Sequence, residues 1–450
     1  MVTTPPDPLA LLRSRSYVVL LVLAAIIGVI VSAVAYFFLA LVGKLQGWIF
    51  TSLPSGLGFH SEPPWWPIPP LMLAGLLVGL TLRYLPGTGG HKPAEGFKAG
   101  GAPSPAELPS VVLASLATLS LGVVLGPEAP LIAIGGGLGV LAVRLLKRDA
   151  PARTSTVVAA AGSFAAISTL LGSPLLGAFL LMEASGLAGG MLELVLVPGL
   201  LAAGIGTLIF IGLDAWTGLG TFSLKLPGLP HVGSPTGVEF LWALAIGVMA
   251  ALVGSGIRWF ALFLQPHVER RMVLLLPVAG LAIAGLAIAF AEGTGKSSSE
   301  VLFSGQTALG PLITHSAAYT VGALVLLMVC KAVAYGASLS GFRGGPVFPA
   351  MFIGAVGGIA LSHLPGLGLV PGVAMGIGAM CAVMLRLPMT SVLLAVLLLA
   401  SDGLVVTPLA IVAVVVAYVV SARLVPAPAP AASPAPETPR PAEGAVQPSS

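Results

Sequence analysis

The stretch Gly126-Pro127-Glu128-Ala129-Pro130-Leu131-Ile132-Ala133-Ile134 decides how this chain folds. It sets a carboxylate between two prolines at the head of an apolar run, in a protein with 57% hydrophobic residues, 8% charged residues and a mean hydropathy of +1.04. Soluble domains carry about 25% charged residues, and a chain this poor in charge has no surface to keep it apart from its copies in water. The composition specifies an all-α, polytopic protein of the cell membrane. An ionisable group inside such a chain requires a functional reason.

Outward from that stretch, apolar segments predict helices near 17–42, 67–84, 109–124, 128–145, 156–171, 174–187, 191–213, 237–264, 273–291, 316–337, 347–362, 371–385, 388–400 and 407–423. With 58 Gly and 39 Pro, several of these stop short of the roughly 20 residues that cross a bilayer. The fragmented regions are 109–187 and 337–400. Backbone broken at membrane depth is tolerated where it is buried in protein or lines a cavity, so a transporter or channel is expected. Arg13 and Arg15 ahead of the first helix favour a cytoplasmic N-terminus, which makes 1–16 a cytoplasmic segment. Residues 425–450, rich in Pro and Ala, read as a disordered tail. Cys330 and Cys381 lie within apolar runs and read as small core residues. The net charge of +4 is scattered, which argues against a nucleic-acid partner. No cofactor or metal motif is apparent.

The opening motif occurs twice. A shift of 219 residues lays Gly126-Pro127-Glu128-Ala129-Pro130 on Gly345-Pro346-Val347-Phe348-Pro349, and Ile134, Gly135 and Gly139 on Ile353, Gly354 and Gly358. Pro174 and its apolar run fall, with a slightly different offset, on Pro388 and its run. The membrane domain, 17–424, is thus expected to consist of two homologous halves, about 17–213 and 237–424.

Proline suits a first helical turn, where its missing N–H has no intrahelical partner, and glycine permits close approach of backbone. The free N–H groups and the positive end of the helix dipole then form an anion site. Two such starts, one from each half, can hold a dehydrated anion at mid-membrane without a full positive charge. Glu128 stands where that anion would sit; protonation would release it, so it can gate the path or carry a proton.

These residues resemble the CLC family of chloride channels and proton/chloride antiporters. Gly126 to Pro130 is similar to the family's G(K/R)EGP motif, Gly344 to Pro349 to its GxFxP motif, and Gly89-Gly90-His91-Lys92-Pro93-Ala94-Glu95-Gly96 stands where GSGIPE is expected. The resemblance covers about 35–424. It implies a homodimer with one pore per subunit, two inverted-topology repeats of broken and tilted helices, and passage of chloride, coupled or not to protons, with Glu128 as the external gating glutamate. It implies anion contacts from Gly90, His91, Gly126, Pro127, Ala129, Gly345, Pro346, Val347 and Phe348. The chain departs from the pattern at Pro127, where a basic residue is usual, at Ala129, where glycine is usual, and at Gly90, where the serine ligand would stand. Val347 replaces the aromatic, and the family's central tyrosine has no match, Tyr418 lying too early. Ala184 holds the place of the internal proton-transfer glutamate; Glu183, one residue before it, points roughly 100° away on a helix.

Other readings of Glu128 are weaker. A transporter for fluoride, nitrate or another anion fits the same helix starts. An intramembrane hydrolase would use Glu128 and His91 as acid and base, but no nucleophile motif accompanies them. A transporter for cations or organic solutes would present carboxylates or carbonyls to a cation, and one lone Glu at a helix N-terminus has the wrong polarity for that. Lys331, Arg386 and Asp402 are expected to pair or to snorkel at helix ends.

Overall fold

A computed structural model describes residues 13–60, 62–97, 101–146, 151–186, 190–219, 232–399 and 403–424. The tail 425–450, Asp402 and most of the N-terminal segment lie outside the described residues. In the first half, α1 runs Arg15–Gly47 and continues through a wider turn, Trp48–Ser52, to Gly56. It is followed by α2 Ile68–Tyr84, α3 Leu108–Ser120, α4 Glu128–Leu146, α5 Ala152–Leu171, α6 Pro174–Ser185 and α7 Gly190–Thr217. The second half holds α8 Gly237–Arg270, α9 Met272–Thr294, α10 Gln306–Thr314, α11 Val321–Leu339, α12 Val347–Leu361, α13 Leu369–Leu385, α14 Pro388–Leu398 and α15 Gly403–Leu424.

Among the described residues, eight helical segments are long and apolar enough to cross a membrane, and six further apolar helices are shorter. The short ones include α3, α6, α12, α13 and α14, within or beside the regions read as fragmented. Two expectations need correction. The helix read as 109–124 ends at Ser120, because the chain turns at Leu121 and Gly122, the latter at φ 97°, and leads to Gly126, which pairs with the other half. The helix read as 316–337 starts at Val321, capped by the Thr320 side chain, and α10 before it escaped the reading because its apolar run is only nine residues long.

The halves pack alike. In the first, α4 lies on α5, α5 on α7, and α1 on both α5 and α7; in the second, α12 lies on α13, α13 on α15, and α8 on both α13 and α15. The glycines found by the repeat form the tightest seam of each half: a Cβ on Gly135 would meet the backbone of Gly162, and one on Gly354 or Gly358 would meet that of Gly376 or Gly372. Helices in lipid associate chiefly by such close backbone packing, since the tails around them are as apolar as they are. The halves meet at α2 on α9, at α6 on α14, and through the two glycine loops that precede α4 and α12.

Candidate functional site

Gly126 and Gly345 face each other antiparallel. The Gly126 N–H donates to the Gly345 carbonyl at 2.8 Å and the Gly345 N–H to the Gly126 carbonyl at 2.6 Å. Each motif leads from this bridge into its helix, so the starts of α4 and α12 converge. Both starts follow one rule. Pro127 and Pro130 lack N–H groups, and the Leu131 N–H is taken by the Pro127 carbonyl, which leaves α4 the amides of Glu128 and Ala129. Likewise Pro346 and Pro349 flank Val347 and Phe348, and the Ala350 N–H turns back to Pro346. The repeated Pro-x-x-Pro therefore isolates two backbone donors per half.

Glu128 occupies the space between them. Its side chain is fully buried, Oε1 accepts from the Phe348 N–H at 2.8 Å, and Oε2 has no hydrogen-bond partner among the described residues. Glycine at 126 and 345 leaves the room that this carboxylate fills, since a Cβ on either would collide with it where it now rests. A carboxylate from one half thus sits in the amides of the other half's helix start, in a place that suits an anion by charge and donor geometry.

Around the bridge, hydroxyls at two helix ends repeat the symmetry. Thr118 Oγ1 at the end of α3 accepts the Arg343 N–H at 3.4 Å, and Ser338 Oγ at the end of α11 accepts the Val124 N–H at 3.2 Å. Each hydroxyl also donates to the carbonyl one turn back in its own helix. Arg343, buried, donates from Nε to the Thr88 carbonyl at 2.8 Å and from Nη1 to the Gly341 and Phe342 carbonyls. It thereby ties the loop 88–96 to the second glycine loop.

A cavity of about 250 Å³ opens beside this constellation, lined among others by Thr88, Gly90, His91, Ala129, Gly344 and Pro346. The three motif segments read from the sequence therefore meet at one cavity. The His91 ring lies 2.6 Å from the Gly96 carbonyl through Nε2, and Thr88 Oγ1 donates to the Gly90 carbonyl. The acid and base of the hydrolase reading are therefore not in hydrogen-bond contact: each is engaged with backbone elsewhere.

Glu183 is not near that cavity. Its carboxylate accepts from the Met389 N–H at 3.0 Å, the Thr390 N–H at 2.8 Å and Thr390 Oγ1 at 2.6 Å, closing the start of α14. Lys331 does not snorkel. It is fully buried in α11, and Nζ donates to the carbonyls of Glu300, Val301, Leu302 and Phe303 at 2.8–3.4 Å, with the Phe352 ring 4.3 Å away. Arg386 is exposed and ends α13 in the left-handed conformation. Tyr335, Ser338 and Arg343 escaped the sequence reading; only their polarity within an apolar stretch could have singled them out.

A sequence model of the family described as voltage gated chloride channel matches residues 74–422. The putative ion-transport protein YfeO of Escherichia coli (strain SMS-3-5 / SECEC) is 30% identical over 361 residues, covering 78% of this chain and 81% of its own length, and its counterpart in Escherichia fergusonii matches to the same extent. Among solved structures, a slow cyanobacterial Cl⁻/H⁺ antiporter superposes with a TM-score of 0.73 at 18% identity, covering 90% of this chain and 94% of its own. A CLC-type fluoride/proton antiporter does so with 0.65 at 21% identity over 90% and 95%.

Proposed function

This chain belongs to the voltage gated chloride channel family, and from that premise we propose that it moves anions across the membrane through the site between α4 and α12, with Glu128 as the gate. The observation that carries this reading is the hydrogen bond from the Phe348 N–H to Glu128 Oε1, made across the two halves. An ionised Glu128 occupies the amides that a transported anion would use. Protonation removes its charge, loosens that bond and frees the site. A dehydrated anion then exchanges water for the amides of Glu128, Ala129, Val347 and Phe348, helped by the positive ends of two helices. The cavity lined by Thr88, Gly90 and His91 serves as the vestibule from which it arrives.

Two anions are the natural candidates: chloride, which one structural neighbour is named for, and fluoride, which the other is named for. Proton coupling through Glu183 is not part of this proposal, since three donors hold its carboxylate at the start of α14. A homodimer with one such pathway per subunit is expected on family grounds.

The test records chloride or fluoride efflux and proton movement together from liposomes holding the purified protein, with and without Glu128→Gln. Anion flux that rises on acidification in the wild type and becomes insensitive to pH in the variant supports the proposal. Absence of flux for both anions in both proteins overturns it.

A further inference from the structure

The frame around the two glycine loops is nearly symmetric, and one residue breaks the symmetry. Thr118 and Ser338 play the same part in the two halves, as do Val124 and Arg343, the hydroxyls lying 220 positions apart against 219 for the loop residues, and each hydroxyl holds the other half's loop. Along α11, Lys331, Tyr335 and Ser338 share one buried face, spaced one and two turns apart. Lys331 gathers the carbonyls of residues 300–303, and the Phe303 N–H passes on to the Gly122 carbonyl, at the head of the first glycine loop. Between them, fully buried Tyr335 donates its hydroxyl to the Pro346 carbonyl at 2.8 Å. Counted three residues back from those hydroxyls, the position of α3 that corresponds to Tyr335 is Ser115, which turns back to Val111 and Val112 of its own helix. The second helix start is therefore pinned from behind and the first is not.

That asymmetry matches the asymmetry of the gate. Glu128 belongs to the first half and must move; the donor on which it rests, the Phe348 N–H, belongs to the second and must stay. We propose that Tyr335 is a positioning residue, whose phenol clamps the Pro346 carbonyl and so holds the start of α12 as the fixed seat on which Glu128 closes. Pro346 is the residue from which the Val347 and Phe348 amides are directed, and its carbonyl accepts from the tyrosine and from the Ala350 N–H. Without the phenol, that carbonyl keeps only the longer bond of 3.4 Å, and the peptide groups after it are free to tilt.

The inference rests on Glu128 acting as the gate. The titratable groups within electrostatic reach of Glu128 are Tyr335 itself on α11 and Cys381 on α13, while Arg258 of α8 reaches Tyr335. Tyr335→Phe deletes one oxygen and leaves the ring's packing in place. It is expected to shift the acid midpoint of anion flux upward by about half to one pH unit, as the ionised gate loses part of one charge-assisted hydrogen bond. In the Glu128→Gln background the same substitution should produce no pH-dependent change in flux, because a residue that sets the midpoint of the gate has nothing to titrate once the gate is gone. Hydrogen exchange on the same preparation should show faster exchange at Val347 and Phe348 and no change at Ala129. A Tyr335→Phe protein with the wild-type midpoint and wild-type exchange at Phe348 overturns the inference, as does an equal loss of flux at every pH in both backgrounds. Wild-type liposomes with no anion flux would instead overturn the gating proposal itself.

Discussion

The backbone amides and carbonyls of Gly126 and Gly345 are exchanged between the two residues, 219 positions apart in the chain and equivalent in its two halves. A pair of equivalent residues can meet in this reciprocal way only where the axis relating the halves passes between them. The site next to it is consequently built twice over, from the same motif approached from two directions, and function enters through what differs: Glu128 in one copy, Val347 in the other.

The room between the glycines is filled by the Glu128 carboxylate, so Gly345→Ala evicts it from the Phe348 amide. The expected result is anion flux at neutral pH that no longer increases on acidification, resembling Glu128→Gln although the glutamate is still present. Efflux measured between pH 4.5 and 7.5 checks this; a variant that keeps the wild-type acid response would show that the carboxylate has another resting place.

Lys331 is expected to matter for stability rather than for attracting anions. Lys331→Met removes the donor from the carbonyls of residues 300–303 and leaves buried acceptors unpaired, at about 1–3 kcal/mol for each left unsatisfied. A loss of roughly 3 kcal/mol or more follows, on the scale of the most damaging single substitutions. Thermal unfolding in detergent reads it, and any active fraction should show the wild-type preference among anions.

At the α6–α14 contact, Glu183→Gln and Thr390→Val each weaken the same cluster. Three donors converge on the carboxylate, two of them free amides at a helix start, so neutralising it should cost about 1–2 kcal/mol. Because the two substitutions act on one cluster, the double variant should lose less than the sum of the singles. The acid midpoint of flux should remain that of the wild type in all three.

Two carboxyls outside the membrane-spanning segments give stability its own pH dependence. Burial pushes the Glu62 carboxyl above its ordinary value of 4.5, against the hydrogen bond from Ser298, and does the same to Glu300 against the Tyr319 hydroxyl and two lysines. A carboxyl whose folded value is raised stabilises the protein most fully below about pH 4.5 and loses that contribution as the pH climbs through the folded value. Melting temperature in detergent should therefore fall from pH 4.5 upward. Glu62→Gln and Glu300→Gln should each flatten that fall; an unchanged slope in both would place the dependence on other groups.

The amino-acid sequence by itself determined the membrane-embedded helical fold, the duplication and the convergence of two helix starts on Glu128, because each rests on local chemistry. Apolar length sets the spans, proline sets the first turn, and the glycines at 135, 139, 354 and 358 mark the seams where helices touch through backbone. What only the tertiary structure decided is which distant groups complete the site. Tyr335, Ser338, Arg343 and Lys331 each stand in or beside an apolar helix, and their acceptors lie on segments far away in the chain or around a turn that no periodicity describes. A buried polar group must find a partner, but the choice of partner is made when the helices pack. For the same reason Glu183, at the end of α6, proved to hold the start of α14, and Lys331 proved to be a buried tether of backbone carbonyls instead of snorkelling at a helix end.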